Sequence, residues 1–179
     1  MINFENMTEK TIKSEIIYNG RVVNLRKDEV TLPDGKRSTR EIIDHPGAVV
    51  VLAQGKQENV IMVRQFRKAI EDVLLELPAG TLEPQESRLN CAQRELEEET
   101  GYQAKNWEKV YEFYSAPGFC NEKLTLFFAW NLKKTKTNTD NDEFIEIIEY
   151  DRKNIISLLK NNKIRDAKTL IGILWWLNR

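Results

Sequence analysis

The chain has little histidine, little cysteine and no long apolar run, and each shortage closes off a class of function. His45 is the only histidine among 179 residues. A His-rich zinc site is therefore excluded, and a Ser-His-Asp triad has one place to form. Cys91 and Cys120 are the only cysteines and lack metal-type spacing, so they read as packing or loop residues and not as a disulfide. No apolar stretch approaches the ~20 residues of a membrane helix. The N-terminus, MINFENMTEKTIKSE, is too polar for a signal peptide. A formal net charge of -1 gives no general attraction to nucleic acid or an anionic membrane. These absences point to a cytoplasmic protein in which any chemistry falls to carboxylates.

What is present suits a globular chain. Hydrophobic residues make up 41% and charged residues 31%, and 179 residues are enough for one substantial core, or one core plus a small appendage. From about Thr11 to Asp44, SEIIYNG, RVVNLRKDEVTL and STREIIDH read as strands, with LPDGK as a turn. GAVVVLAQ is a continuous apolar run and predicts a buried strand. VIMVRQFR is another strand, and LLELPAG closes the region. A helix is expected from about Glu86 to Thr100, capped by Gly101. WEKVYEFYSA and KLTLFFAWNL predict strands around the loop PGFCNE. KKTKTNTDNDE is a polar loop and FIEIIEY a further strand. The tail predicts two helices broken near NNKI, the second burying ILWW. This order gives a mixed sheet with helices packed on it, α/β or α+β, with a soft boundary near residue 44.

The stretch GTLEPQESRLNCAQRELEEETGY concentrates acids beside apolar residues. At about 100° per residue, with Glu95 at zero, Glu99 lies near +40° and Glu98 near -60°. Leu89, Ala92 and Leu96 fall at about 120°, 60° and 100° and form the apolar stripe, while Glu97 points away toward solvent. Like charges at this spacing repel, and a hard divalent cation held by carboxylate oxygens relieves the repulsion. Arg94 can pair with Glu86 at the helix start. The preceding LPAG turn can offer a backbone carbonyl to the metal.

The spacing G-x5-E-x7-R-E-U-x-E-E-x-G-U, with U a bulky apolar residue, is met by Gly80, Glu86, Arg94, Glu95, Leu96, Glu98, Glu99, Gly101 and Tyr102. This resembles the Nudix box. Tyr102 is the one loose match, at a position more often aliphatic. The resemblance implies an α/β/α sandwich that uses Mg²⁺ or Mn²⁺ to hydrolyse nucleoside diphosphates linked to another moiety. It implies metal ligation by Glu95, Glu98, Glu99 and the carbonyl of Ala79, with Glu86 and Arg94 holding the loop-helix-loop together.

Flanking segments are similar to the ADP-ribose pyrophosphatase branch: REIIDHPGAVVVLA, VRQFR, LLELPAG, and SAPGFCNE with Pro117 fifteen residues beyond Tyr102. The branch implies an N-terminal segment, residues 1–44, that pairs two subunits and helps enclose adenine, ahead of a Nudix domain at 45–179. Arg67 is a cation for the pyrophosphate. Arg40, Gly118 and Glu122 are further substrate contacts. The branch also implies a carboxylate base that deprotonates water on the loop after the box, here Glu143, with Asp140 and Asp142 as alternatives. The expected products of ADP-ribose are AMP and ribose 5-phosphate. Another nucleoside diphosphate derivative, and a nucleotide-sensing module without turnover, are the rival readings.

Overall fold

The structure is a computed structural model and describes residues 7–135 and 144–179. Two compact units divide it. One holds the residues through Gly47 together with Tyr114–Lys123, and the other holds Ala48–Phe113 and Leu124–Arg179. The first unit thus takes in the PGFCNE loop as well as the N-terminal strands.

In the first unit, β1 (Lys10–Asn19), β2 (Asn24–Thr31) and β3 (Arg37–Asp44) form an antiparallel sheet in that order. The LPDGK turn closes as its composition suggests. Gly35 adopts φ +84°, and its N–H donates to the Leu32 carbonyl at 2.9 Å. The loop that carries Pro117 is pinned to β3. Ile43 N–H donates to the Phe119 carbonyl at 2.8 Å, and Asn121 N–H donates to the Ile43 carbonyl at 3.2 Å.

The second unit is a mixed sheet of seven strands. Its main path runs β10 (Glu146–Tyr150), β5 (Val60–Arg67), β4 (Ala48–Gln54), β9 (Lys123–Lys134), β8 (Tyr102–Tyr114). β6 (Asp72–Glu76) pairs with β5, and β7 (Ala79–Thr81) pairs with β4. β4 is parallel to β9 and antiparallel to β5 and β7. The apolar run read as a buried strand is the central β4. Val49, Val51 and Ala53 face α1 (Arg88–Thr100), through Cys91, Ala92 and Leu96. Ala48, Val50 and Leu52 face α2 (Arg152–Lys160) and α3 (Ala167–Leu177), through Ile155, Ile173 and Trp176. Burial on both faces explains why this strand is apolar throughout, without alternation. The result is an α/β/α sandwich.

Three expectations need correction. Helix α1 begins at Arg88, not Glu86, because the Ser87 side chain accepts the Asn90 N–H at 3.1 Å and Glu86 turns onto Arg94 instead. Leu89 is 39% exposed, and Cys91 takes its place against the sheet, where its thiol fits beneath the Gly80 and Thr81 carbonyls. Only Ile173 and Trp176 of ILWW are buried; Leu174 is half exposed. Among the described residues, no helix is long and apolar enough to cross a membrane.

Candidate active site

The site assembles along the second half of α1, against β7 and the loop residue Glu86. Arg94 is its hub. Its Nε and Nη2 fork onto Glu86, at 3.0 and 2.9 Å. Its Nη1 donates to Glu95 at 2.7 Å and to Glu98 at 3.0 Å. The expected Arg94–Glu86 pair is therefore present, and it is bidentate, the strongest form of such a bond. The fork holds the Glu86 carboxyl down at about 2, from an ordinary value of 4.5. The same partners, Glu86 first, hold Arg94 firmly protonated. Burial pushes the neighbouring Cys91 thiol up to about 12, so it has no thiolate to offer.

Backbone closes the other side of the acids. A Cβ on Gly80 would stand 1.8 Å from the Glu95 carboxyl carbon, so any larger residue there would displace that carboxylate from its place. The Ala79 N–H donates to Glu99 at 3.2 Å. Glu99 is only 4% exposed, because at about 40° it lies closest of the three acids to the apolar stripe. Glu97 is half buried and accepts from Gln103 at 2.9 Å, so it does not point freely into solvent.

These donors are all oxygen; Glu95 and Glu99 press on the Ala79–Gly80 backbone and Glu98 meets Glu95 at Arg94 Nη1, a set that suits a hard divalent cation. Among the described residues, however, no three acidic, histidine or cysteine groups converge as a ready cage. Arg94 Nη1 occupies the meeting place of Glu95 and Glu98. A divalent ion would draw those two carboxylates from Nη1, while the Glu86 fork keeps Arg94 in place. On that condition the residues fit a metal.

Arg67, expected near the pyrophosphate, makes a second fork. Its Nε and Nη2 each donate to Glu76, at 2.8 Å. Glu76 also pairs with Lys168. Reading the sequence missed both. A lone Glu inside LLELP was the available signal, but its partners stand 9 and 92 residues away.

The remaining expected contacts lie in the first unit. Arg40 pairs with Glu9, and with Gly118 it lines a cavity of about 430 Å³ that also includes Arg26, Tyr114 and Phe119. Glu122 stands 3.6 Å from His45 Nε2, whose other ring nitrogen accepts the Gly47 N–H at 3.0 Å. Glu143, Asp140 and Asp142 lie outside the described residues.

The sequence pattern of the family described as the NUDIX domain matches residues 44–171. That described as the nucleoside diphosphate sugar hydrolase N-terminal domain matches residues 9–43. The chain belongs to the Nudix family. It is 44% identical over 171 residues to an ADP-ribose pyrophosphatase of Bacillus subtilis (strain 168), covering 94% of this chain and 92% of the relative. It is also 44% identical over 167 residues to a methanol dehydrogenase activator of Bacillus methanolicus, covering 92% and 90%. A GDP-mannose pyrophosphatase of Cronobacter sakazakii (strain ATCC BAA-894) is 33% identical over 180 residues, covering 93% of each. A crystal structure of an ADP compounds hydrolase superposes with a TM-score of 0.84 at 19% identity, covering 96% of this chain and 95% of that one, and so shares the fold.

Proposed function

We propose that this chain hydrolyses the pyrophosphate bond of ADP-ribose to AMP and ribose 5-phosphate, using a divalent ion, Mg²⁺ or Mn²⁺. One observation carries the reaction class: Glu95 and Glu99 press on the Ala79–Gly80 backbone while Arg94 is anchored independently on Glu86. The substrate follows from the named relative, which is similar over nearly the whole chain. When bound, the ion would supply positive charge to the pyrophosphate oxygens and acidify the attacking water.

The residues divide the remaining work. Glu95, Glu98, Glu99 and the Ala79 carbonyl would hold the ion. Glu86 and Arg94 keep the loop and helix registered, so that those oxygens stay on one side. Arg67 offers its guanidinium to the pyrophosphate. Arg40 and Gly118 contribute a cavity wall to the nucleoside, and Glu122 a hydroxyl acceptor. Glu143, just ahead of β10 in sequence, takes the water proton. All the acids of the box are present, which argues against a module that only binds. The enzyme would act in the cytoplasm, where its two free cysteines stay reduced. It would act as a homodimer through β1, an edge strand exposed along all ten residues.

The test is product analysis with ADP-ribose, with and without Mg²⁺. AMP and ribose 5-phosphate are expected only with the ion. Glu99→Gln is expected to lower turnover by about a hundredfold or more while the protein stays folded. Wild-type activity in that variant would sink the metal assignment. The GDP-mannose pyrophosphatase relative favours one second reading, a nucleotide sugar in the same site. A higher kcat/KM for GDP-mannose than for ADP-ribose would select it.

A further inference from the structure

Glu76 is out of place for a carboxylate. It ends β6 at 1% exposure, between the core residues Leu75 and Leu77 in sequence. A buried lone carboxylate costs several kcal/mol unless charge and hydrogen bonds match it. Here two cations do. Arg67 forks onto both oxygens at 2.8 Å, and Lys168, in the first turn of α3, donates to Oε2. Lys168 also lies 3.0 Å from Asp166, the residue that caps α3. Asp166 accepts from the Thr169 backbone at 3.0 Å and from its hydroxyl at 2.6 Å. That hydroxyl in turn accepts the Leu77 N–H at 2.8 Å. Glu76 is thus held from the sheet and from the helix start at once.

The arrangement is costly if stability is its only use, since well-packed apolar residues commonly serve a core as well as a buried ion pair does. Its consequence falls on Arg67. The Arg67 side chain is 42% exposed where Glu76 is 1% exposed. The fork uses Nε and Nη2, which turns Nη1 away from the carboxylate. Two bonds to one rigid acceptor fix the guanidinium plane, and with it the direction of the outer edge. The Glu99 carboxylate adds to the field that keeps Arg67 charged, after Glu76 itself, so this cation shares an electrostatic neighbourhood with the acids of α1.

We propose that Glu76 is a positioning residue that aims the Nη1 edge of Arg67 at the pyrophosphate of the substrate, with Lys168 as the brace that keeps Glu76 in place. The proposal rests on the hydrolase reading above, with Arg67 as a pyrophosphate ligand. It assigns a role in substrate binding to a side chain that never meets the substrate.

Steady-state kinetics with ADP-ribose and Mg²⁺ test it, on wild type, Glu76→Gln, Arg67→Ala and the double variant. Glu76→Gln keeps the size but loses the two-oxygen acceptor. It is expected to raise KM by about tenfold, with kcat within about threefold. Arg67→Ala should raise KM at least as much, and the double variant should be no worse than Arg67→Ala alone, because Glu76 acts only through Arg67. An unchanged KM in Glu76→Gln, or losses that multiply in the double variant, would overturn the proposal. If Glu76→Gln does not fold, Glu76→Asp keeps the buried charge but draws the carboxylate back by one methylene and breaks the geometry of the Arg67 fork, and an unchanged KM there overturns the proposal equally. Lys168→Met removes the brace but keeps both Glu76 oxygens for Arg67, so it should lower Tm and raise KM by less than Glu76→Gln does; a KM increase larger than that of Glu76→Gln would contradict the role of Arg67 as the aimed group. A wild type inactive on ADP-ribose would overturn both readings. An active wild type with an unaltered Glu76→Gln overturns this one alone.

Discussion

Single residues in this chain take their chemistry from their immediate partners, and Glu86 shows it most directly. It is acidic by type, yet its fork with Arg94 holds its carboxyl at about 2 in the folded chain, below the ordinary 4.5. A depressed carboxyl stabilises the fold above its unfolded pKa, and that contribution is lost as pH falls through the folded one. The contribution of Glu86 is therefore complete above about 4.5 and disappears toward about 2. Denaturant melts of wild type between those values should show a steep loss of stability. Glu86→Gln should start lower at neutral pH and fall less steeply over the same interval; parallel acid limbs would show the fork contributes nothing. This pair was legible in the sequence, because both residues are fixed points of one local motif. Glu76 was not, because strand periodicity gives no cue to a partner on a helix 92 residues on.

Helix α1 is the element on which the site depends, and its start decides where the acids point. Ser87 satisfies one of the unpaired N–H groups at the N-terminus, and Gly101 closes the C-terminus at φ 66°. Replacing Ser87 with Ala should cost about 1 kcal/mol, read as a lowered Tm, with a larger proportional loss of kcat than of secondary structure. No change in Tm would mean that Arg94 alone holds the helix start. The C-terminal cap was plain from glycine alone. The helix start was displaced by two residues, since acid, serine and arginine compete for the same first turn and only packing chooses among them. The same competition misplaced Leu89. An angular plot treats every turn alike, but the first turn meets the β7 carbonyls, where a thiol fits and a leucine does not.

At the scale of the whole molecule, the individual strands and the burial of β4 followed from alternation and apolar runs, while the order of the strands in the sheet and the assignment of Tyr114–Lys123 to the N-terminal unit did not. That loop joins β3 through backbone hydrogen bonds of Ile43, and backbone pairing leaves no signature in side-chain pattern. The N-terminal sheet raises a question that only assembly answers. β1 is ten residues long, lies at the edge of its sheet, and leaves Ile12, Ile16, Ile17 and Tyr18 about half exposed or more. A long apolar edge strand left bare invites pairing with another chain, and monomeric proteins usually block it with charge, proline or a bulge. Here the register slips near Lys13 and near Tyr18, yet the apolar residues stay outward. The homodimer proposed above would close such an edge with a second copy of this chain, in closed symmetry. Light scattering coupled to size exclusion should therefore give twice the mass of 21.0 kDa. The double variant Ile16→Lys, Ile17→Lys puts charge on both faces of the strand and should shift the protein to monomer. Because the acids of α1 belong to the other unit, this monomer should keep its fold and its metal-dependent chemistry. Its KM for ADP-ribose should rise only if the partner copy also shapes the nucleoside cavity. A wild type that runs as a monomer at all concentrations would remove the dimer and leave β1 as an edge whose protection lies elsewhere.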